Sequence, residues 1–593
     1  MNPAHLTPQA LRVLEARYLQ RKKDGSIAET PEALFSRLAQ TVVQAEKMLG
    51  NSTQQGYWQE TFQQLLVSLD FLPNSPALFN AGNPAGQLSA CFVLPVADSL
   101  EDIFETLKHA ALIQRSGGGT GFSFSSIRPK GDFVHSTGGE ASGPVAFMKI
   151  FDQTTEHIKQ GGKRRGANMG VLRIDHPDIQ EFIQAKLDGV SLRNFNISVG
   201  VTDRFLEAVR HDENFDLIHP LTKRPTIRVK AKHLFQDIAD AAWQSGDPGL
   251  LFLDTINRTN PTPGLGDLEA TNPCGEIPLL PHESCNLGSL NLPNFLTSDS
   301  HEPSIHWEKL QKAVYQAVRF LDNLIEVNHF PTAAIASQSQ GNRKIGLGVM
   351  GLAELFIRLG LPYASDEALH FGRTLMKFIT QEAHHASEQL AEERGEFPNW
   401  PQSVYAHLHK KRRNATCTAI APTGTLSLIA GTTASIEPLF ALVYRRSHSF
   451  GGNPLYEMTP LFWQYCRTEG IDTTQLAKEV FQHGKISRMS NIPSRIKKLF
   501  LTALEIPSEK HLQMQAAFQQ NVDNSVSKTI NMPKDTTREE VARTYWRAWE
   551  LGLKGVTIFR YGSKDSQVME IGVGVDPQLL EQSAHCDPEE CRI

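Results

Sequence analysis

The chain has 593 residues, a formal net charge of −5 and seven cysteines. The negative charge provides no overall attraction to nucleic acid or to an anionic membrane, and no uninterrupted apolar run is long enough to span a bilayer. Because the chain has few cysteines and begins without a secretory signal, we expect a soluble protein of the reducing cytoplasm. Important cysteines in that compartment are more often catalytic or redox-active than structural.

Helical periodicity dominates the start of the chain. Residues 8–48 and 56–70 carry apolar side chains at helical spacing, as at Leu34, Leu38 and Val42. This pattern predicts a helical N-terminal region over residues 1–72.

Short apolar runs alternate with amphipathic stretches from about residue 75 to 565. Phe92-Val93-Leu94, Ile197-Ser198-Val199 and Thr418-Ala419-Ile420 are typical of buried strands, whereas 305–327 and 366–391 have helical spacing. The fold class predicted is α/β. No linker, repeat or low-complexity segment divides this region, so we expect one large unit over residues 73–565, followed by a polar tail over 566–593.

A tight polar turn surrounds Cys274 in the segment Asn272-Pro273-Cys274-Gly275-Glu276. Pro273 fixes its own φ and restricts Asn272, while Gly275 permits close approach of the backbone to a ligand. A thiol, a carboxylate and an amide can therefore converge on one small molecule. Considered singly, Cys274 could be a buried apolar residue and Glu276 an exposed carboxylate.

Other polar segments carry weaker signals. Pro422-Thr423-Gly424-Thr425-Leu426-Ser427 offers successive N–H groups and hydroxyls to a phosphate and precedes an apolar run that could start a helix. The run Gly117-Gly118-Gly119-Thr120-Gly121 does not have the spacing of a dinucleotide-binding fingerprint. The basic run Lys410-Lys411-Arg412-Arg413 is predicted to be a solvent-facing helix end.

These motifs, in this order, resemble the catalytic large chain of ribonucleotide reductases, and most closely the adenosylcobalamin-dependent variety called class II. The matching segments are Leu72-Pro73-Asn74-Ser75-Pro76, Ser89-Ala90-Cys91, Ser116-Gly117-Gly118-Gly119-Thr120-Gly121, Asn272-Pro273-Cys274-Gly275-Glu276, Ser284-Cys285-Asn286-Leu287-Gly288-Ser289 and Ala421-Pro422-Thr423-Gly424-Thr425. The resemblance implies a ten-stranded α/β barrel over 73–565 with a central finger loop that carries Cys274 at its tip, after the helical N-terminal region.

The resemblance also implies a reaction, the reduction of ribonucleotides, with diphosphates favoured, to 2′-deoxyribonucleotides for DNA synthesis and repair. A thiyl radical on Cys274 would remove the 3′ hydrogen and later return it. Glu276 would accept the 3′-hydroxyl proton as general base, and Asn272 would hold the substrate hydroxyls. Cys91 and Cys285 would supply two electrons by forming a disulfide. For Cys91 alone, the alternative is a buried strand cysteine.

The family pattern assigns further residues to ligand binding. Its substrate positions fall on Ser75, Ala90, Cys91, Gly119, Asn272, Pro273, Cys274, Gly275, Glu276, Pro422, Thr423, Gly424, Thr425 and Leu426. Its site for a deoxynucleoside triphosphate effector falls on Asp98, Ser99, Lys163, Arg164, Arg165 and Arg193. Arginine and lysine between glycines suit a triphosphate, although a solvated basic turn is the alternative. In the family this effector site lies between subunits, so a homodimer is expected.

The C-terminal tail carries two thiols, Cys586 and Cys591. They suit thiol–disulfide exchange with the active-site disulfide and then with an external thioredoxin-like reductant. A zinc clip is the competing interpretation, but two cysteines and His585 leave its ligand set incomplete.

The radical source is indicated by the absence of a tyrosine pair near the C-terminus. Class I enzymes pass the radical from a second subunit through two adjacent tyrosines, and Ile558 and Phe559 occupy those positions here. We therefore expect adenosylcobalamin as cofactor and no second radical-generating subunit. The glycyl-radical class is disfavoured because this chain carries Glu276 and a thiol shuttle. Two other classes remain open, an inactive nucleotide-sensing homologue and a thiol peroxidase or disulfide oxidoreductase, although no close active-site C-x-x-C supports the last.

Overall fold

The structure is a computed structural model that describes residues 6–84, 86–134, 138–160, 164–297, 303–446, 455–472, 476–477, 479–480, 483–564 and 569–571. The predicted helical N-terminal region is confirmed. Its helices are Pro8–Arg17, Pro31–Val42, Gln44–Met48 and Gln55–Val67. Thr7 and Thr30 cap the first two helices with their side chains, and a proline follows each cap at the first helical position.

The remaining helices surround the sheet. They are Ser75–Asn80, Leu100–Arg115, Pro144–His157, Ile179–Gln184, Asp203–Arg210, Ala231–Ser245, Leu253–Arg258, Trp307–Glu326, Ala333–Asn342, Leu352–Arg358, Asp366–Arg394, Val404–His407, Leu426–Ala430, Pro460–Thr468, Ser494–Leu499, Ser508–Gln519 and Arg538–Glu550. The two stretches predicted from periodicity, 305–327 and 366–391, are thus helical. Within the described residues, no helix is both long enough and apolar enough to cross a membrane.

Most strands are short and buried. They are β1 Phe71–Pro73, β2 Cys91–Leu94, β3 Gly119–Ser123, β4 Phe133–Val134, β5 Gly139–Glu140, β6 Lys159–Gln160, β7 Arg164–Arg165, β8 Asn168–Arg173, β9 Phe195–Val201, β10 Asn214–Ile218, β11 Pro225–Lys230, β12 Gly249–Phe252, β13 Ala270–Thr271, β14 Pro278–Leu279, β15 Glu283–Asn291, β16 Ile345–Met350, β17 Val443–Arg446, β18 Leu455–Met458, β19 Thr529–Met532, β20 Gly555–Arg560 and β21 Met569–Ile571.

One sheet of ten strands forms the centre of the molecule, in the order β1-β15-β2-β3-β8-β9-β12-β20-β19, with β16 paired to β15. Strands β2, β3, β8, β9 and β12 run parallel to one another. The pairs β15–β16 and β19–β20 are also parallel. These groups meet at two antiparallel contacts, which we call the first seam (β2 with β15) and the second seam (β12 with β20).

The path is open between β16 and β19, and two isolated parallel bridges span the opening, Leu347 with Thr418 and Ile420 with Val526. Thr418-Ala419-Ile420, predicted as a strand, therefore contributes bridges and no continuous ladder. The Asp523 carboxylate accepts the N–H groups of Cys417 and Thr418, at 2.8 and 3.2 Å, so these two donors do not bond to a neighbouring strand. The α/β barrel expected from the resemblance is confirmed by this architecture and by the comparisons below.

A hairpin of β13 and β14 lies against β2, β3 and β8 and carries Cys274 in its turn. Glycines in β3 make room for it. A Cβ on Gly121 would lie 1.8 Å from the carbonyl oxygen of Thr271, and a Cβ on Gly119 would lie 2.9 Å from the ring of Pro273. The glycine run of β3 therefore permits the close approach of the finger loop.

We expect Gly121→Ala to displace the finger loop, because the atom that it would meet belongs to rigid backbone. Overpacking of this kind typically costs about 1–3 kcal/mol of unfolding free energy. Chemical denaturation measures this loss, and the activity proposed below should fall with it. Gly56→Ala is the matched control, since its added Cβ meets no atom within 4 Å and helix Gln55–Val67 favours alanine. Equal stability of both variants would contradict this account.

A buried ionic network joins the N-terminal helices to the barrel. Glu46 is fully buried and accepts from Arg319 and Arg394 at 2.8 and 2.7 Å. Asp322, also fully buried, accepts from Arg394 at 3.1 Å and lies 3.5 Å from Arg413. The predicted solvent-facing helix end at 410–413 is therefore wrong in part. Arg413 and its neighbour Arg412 are buried because the network and the ring of Tyr405 hold them, and the run follows a loop after helix Val404–His407.

Candidate active site

The turn of the finger loop is held by its own backbone and by Asn272. The N–H of Gly275 donates to the carbonyl of Asn272 at 3.1 Å, and Gly275 adopts a φ of +83°. The N–H of Ile277 donates to the side-chain oxygen of Asn272 at 3.1 Å. Outside the turn, the Asn196 side chain donates to the carbonyl of Pro273 at 2.8 Å. These contacts fix the position of Cys274, which is exposed at the tip.

Cys91 and Cys285 lie directly opposite each other at the first seam. Opposed residues of an antiparallel pair have Cα atoms ~4.5–5.5 Å apart, which is within the range that a disulfide requires. Both thiols are buried, and no disulfide joins the described cysteines. Burial raises the pKa of Cys91 and of Cys285 well above the usual thiol value, and the carboxylate of Glu276 acts in the same direction. Both groups are therefore thiols at neutral pH.

The carboxyl group of Glu276 is buried, and one of its oxygens has no hydrogen-bond partner. The residue as a whole is 2% exposed, and the oxygen without a partner is Oε2. Burial raises the pKa of Glu276 to about 7, although a side-chain hydrogen bond with Asn272 acts against the rise. A carboxyl group with such a pKa can accept and release a proton near neutral pH. The carbonyl of Glu276 accepts the N–H of Ser525 at 2.8 Å, which ties the end of the turn to the segment before β19.

A cavity of about 430 Å³, the smaller cavity, opens at the first seam on one side of the finger loop. Thirteen residues predicted to contact substrate line it, namely Ser75, Ala90, Cys91, Gly119, Asn272, Pro273, Cys274, Glu276, Pro422, Thr423, Gly424, Thr425 and Leu426. Gly275 and Cys285 lie outside that lining, although Cys285 is the partner of Cys91 in the neighbouring strand. Segments that are distant in sequence therefore surround one volume of the size of a nucleotide-binding pocket.

The loop Pro422–Thr425 forms part of the wall of the smaller cavity. Thr423 has a φ of +51°, and its hydroxyl accepts the N–H of Ser435 at 2.7 Å. Its carbonyl accepts the N–H of Ser427 at 2.8 Å, which leads into the predicted helix, Leu426–Ala430. Helix Pro8–Arg17 packs against that short helix.

Sequence reasoning missed several residues that line the smaller cavity, and three of them have large side chains. Arg17, Tyr18 and Phe79 all contribute to its wall. The hydroxyls of Tyr18 and Ser75 are hydrogen-bonded at 2.8 Å, and Arg17 is the cation among the described residues of that wall. Helical periodicity indicates that Tyr18 is buried, but it does not indicate which cavity the end of the first helix reaches.

A second cavity of about 780 Å³, the larger cavity, lies at the second seam. Pro273, Cys274 and Gly275 border it, so the tip of the finger loop lies between the two cavities. Ile558 and Phe559 of β20 also line it. A Cβ at Gly275 or at Gly424 would meet no atom within 4 Å, because both positions face open cavity space. The larger cavity therefore has room for a bulky cofactor beside Cys274.

The predicted effector residues have separate local roles in the described chain. Asp98 accepts from the side chain of Arg128 at 2.7 Å, and Ser99 caps helix Leu100–Arg115. Arg164 and Arg165 form β7, which pairs with β6 beside that helix, and Arg193 is exposed. Lys163, Cys586 and Cys591 lie outside the described residues. The effector site and the redox tail thus remain predictions.

The comparisons with known proteins agree with this geometry. A family model described as ribonucleotide reductase, all-alpha domain, matches residues 4–86, and one described as ribonucleotide reductase, barrel domain, matches residues 89–412 and 409–559. The chain is 48% identical over 622 residues to the vitamin B12-dependent ribonucleoside-diphosphate reductase of Thermoplasma acidophilum, covering 96% of this chain and 80% of that protein. It is also 48% identical over 567 residues to the protein of that name from Mycobacterium tuberculosis, covering 95% and 80%.

A solved structure supports the fold. The class Id ribonucleotide reductase alpha subunit of Actinobacillus ureae is similar with a TM-score of 0.76 and 24% sequence identity, covering 95% of this chain and 99% of that one. The predicted resemblance is therefore confirmed, and the chain belongs to the ribonucleotide reductase family.

Proposed function

We propose that this protein is an adenosylcobalamin-dependent ribonucleoside-diphosphate reductase. The observation that carries the proposal is the position of Cys274, whose thiol borders both the smaller cavity, with Glu276 and Cys91, and the larger cavity. A group in one position can thus be activated from the side of the larger cavity and act on a substrate in the smaller one. The relatives named above support the same activity.

The residues of the smaller cavity account for the chemistry on the substrate. As a thiyl radical, Cys274 takes the 3′ hydrogen of the ribose, while Glu276 accepts the 3′-hydroxyl proton. The 2′-hydroxyl leaves as water after protonation by the Cys91–Cys285 pair, which becomes a disulfide and supplies two electrons. Cys274 then returns its hydrogen to the 3′ carbon, and Glu276 returns its proton to the 3′ oxygen. The net change replaces the 2′-hydroxyl with hydrogen and converts two thiols to a disulfide and water.

The larger cavity would hold the cofactor, with the finger loop on one wall and β12 and β20 on another. When bound, adenosylcobalamin supplies the radical equivalent that oxidises a thiol. Ile558 is buried and Phe559 is half-buried in that wall, so neither can serve as a tyrosine relay from a separate radical-generating subunit. We propose that no such subunit is required.

The test of this function uses the purified chain alone. Without oxygen or iron, we expect it to convert a ribonucleoside diphosphate to the deoxyribonucleotide when adenosylcobalamin and a dithiol are supplied. Tritium in the 5′ position of the cofactor should also exchange with water. If the chain is inert under these conditions but active with a separate metal-radical subunit, the proposed cofactor is wrong.

We propose three parts for the chain: the helical region 1–72, the catalytic barrel 73–565 and the redox tail 566–593. The proposed location is the cytoplasm, whose reducing conditions suit seven cysteines without a disulfide scaffold. In the tail, Cys586 and Cys591 would carry electrons from a thioredoxin-like protein to the Cys91–Cys285 disulfide.

Cys586→Ser should abolish repeated turnover with thioredoxin as the sole reductant, because a single thiol cannot pass on a disulfide. A single turnover of prereduced enzyme should be unchanged, since the tail does not contact the reacting atoms. Product counted per active site distinguishes these two cases, and a small dithiol that reaches the active site should restore cycling. Normal cycling of the variant with thioredoxin alone would rule out the shuttle.

A homodimer with a deoxynucleoside triphosphate effector is proposed as the regulated form. Leu100 and Phe104 of one helix and Ile150 of the neighbouring helix expose large apolar side chains, which supports a subunit contact there. Asp98 and Ser99 begin the first of these helices, so the proposed effector residues lie beside that surface.

A further inference from the structure

Polar side chains form a hydrogen-bonded cluster at the wall of the larger cavity. The Lys528 side chain is fully buried, and its Nζ atom lies 2.6 Å from Oε2 of Glu437 and 3.1 Å from Nδ1 of His511. Glu437 and Lys528 both line the cavity, and the Glu437 side chain is 26% exposed. This cluster takes no part in the chemistry described above.

The hydrogen bonds of the cluster settle which group faces a ligand. Burial, reinforced by Lys528, lowers the pKa of His511 to about 3, so its ring is neutral. Its Nε2 donates to the carbonyl of Ala503 at 2.9 Å, and its Nδ1 must then accept from Lys528. With the carbonyl of Thr529 at 3.4 Å, the ammonium has three acceptors for three protons. The ammonium is therefore saturated. In the Glu437 carboxylate, Oε2 accepts from Lys528 and Oε1 accepts the N–H of Thr529 at 2.8 Å, so the acceptor sites left to the cavity are the remaining lone pairs of these two oxygens.

A second acceptor lies one helical turn from His511. Gln515 is on the same face of helix Ser508–Gln519, it lines the larger cavity and it is 1% exposed. Its Nε2 donates to the carbonyl of Gly555 at 2.9 Å, whereas its Oε1 has no partner. A buried amide oxygen without a hydrogen bond is uncommon in native proteins, because the loss of its hydration is not replaced. A bound ligand that donates to this oxygen would remove that free-energy cost.

The segment that carries Lys528 also supports the finger loop. The N–H of Ser525 donates to the carbonyl of Glu276 at 2.8 Å, and Val526 offers its carbonyl to Gln515 at 3.5 Å. A ligand held by Glu437 and Gln515 would thus be attached to the same stretch of chain that fixes the turn of Cys274.

We propose that Glu437 and Gln515 form an acceptor pair that receives N–H or O–H donors of the ligand in the larger cavity, with Lys528 and His511 holding Glu437 in place. This inference rests on the proposed function, in which the ligand is a cobalamin. Two parts of that molecule carry such donors: the carboxamide side chains of the corrin ring, and the amine and hydroxyls of the adenosyl group.

The experiment measures the affinity of the full chain for adenosylcobalamin and for hydroxocobalamin, which lacks the adenosyl group, by equilibrium dialysis with absorbance detection. Gln515→Met and Glu437→Gln should each weaken adenosylcobalamin binding about tenfold, because the first variant removes an acceptor and the second removes the charge that strengthens a hydrogen bond and replaces one acceptor oxygen with an NH2 donor. Gln513→Met is the matched control, because that side chain belongs to the same helix but bonds Glu509 outside the cavity. It should bind both cobalamins as the wild type does.

The two cobalamins identify the donor. If the variants weaken both ligands, the acceptors bind the corrin carboxamides, and if they weaken adenosylcobalamin alone, the acceptors bind the adenosyl group; either result supports the pair. Because Glu437→Gln leaves a buried ammonium unpaired, the double variant Glu437→Gln with Lys528→Met tests the same point without that charge. If these variants bind both ligands with wild-type affinity, the acceptor pair is wrong, whereas the proposed cofactor is unaffected. A wild-type chain that binds neither cobalamin would overturn the proposed cofactor and the inference together.

Discussion

Cys274→Ser should reduce turnover to below a tenth of the wild-type rate while nucleotide binding stays within a few-fold. A hydroxyl O–H bond is much stronger than a carbinol C–H bond, so an oxygen at this position cannot serve as a reversible hydrogen carrier. Serine nevertheless preserves the shape of the turn, which the backbone contacts of Asn272 and Gly275 hold. Product formation and calorimetric titration with a ribonucleoside diphosphate measure the two effects separately.

The control for this variant is Cys466→Ala. Cys466 is buried in helix Pro460–Thr468 and lines neither cavity, so the loss of its thiol should leave the catalytic rate unchanged. Tritium exchange between cofactor and water should also stop in Cys274→Ser and persist in the control. Residual turnover of Cys274→Ser above a tenth of wild type would show that another group carries the hydrogen.

Glu276→Gln should lower kcat by ~10²- to 10⁴-fold, the usual cost of losing a general base. Because burial raises the pKa of Glu276 to about 7, the wild-type value of kcat/KM should increase with pH and level off above that pKa. The variant should lack this increase. A pH profile measured with both proteins decides the matter, and unchanged rates in Glu276→Gln would assign the residue a structural role.

The same substitution should stabilise the folded protein at alkaline pH. The pKa of Glu276 is raised from 4.5 to about 7 in the folded state, so the folded chain holds a proton there that the unfolded chain has lost. The unfolding free energy of the wild type therefore falls as pH rises between these values. At pH 8, glutamine avoids the buried charge and should raise the unfolding free energy by up to ~3 kcal/mol, with no difference below pH ~4.

Glu283 offers a matched comparison for that measurement. It is also fully buried, but Lys344 lies 2.8 Å away and Asn342 donates to it at 2.7 Å. Glu283→Gln would leave Lys344 charged and unpaired, which typically costs ~3–5 kcal/mol. Urea denaturation at pH 8 should thus show opposite signs for the two variants. Destabilisation by both would mean that the Glu276 carboxylate has partners in the folded state beyond Asn272.

The local chemistry of the site could be predicted from the sequence, because it is contained in consecutive residues. The turn around Cys274 follows from Pro273 and Gly275, and the helix after Thr425 follows from the apolar run. The register of Cys91 against Cys285 could not be derived in this way. These residues are far apart along the chain, and only the order of strands in the barrel makes them neighbours.

Other features were beyond sequence reasoning for the same reason. The glycines of β3 were correctly separated from a dinucleotide fingerprint, but the need for them arises from the carbonyl of Thr271, which approaches Gly121 across the barrel. Arg413 belongs to a basic run that is typical of solvated surfaces. It is nevertheless buried, where its side chain lies 3.5 Å from the carboxylate of Asp322. In each case, a contact distant in sequence overrides the local pattern.

The two seams of the barrel separate the two parts of the proposed reaction. In the proposed mechanism, the thiols that supply electrons lie at the first seam and the cofactor cavity borders the second, with the finger loop between them. If this assignment holds, we expect substitutions along β20 to affect the oxidation of Cys274 and to leave the register of Cys91 with Cys285 unchanged. An engineered barrel could therefore take a different radical source at the second seam and keep the same reduction of the sugar at the first seam.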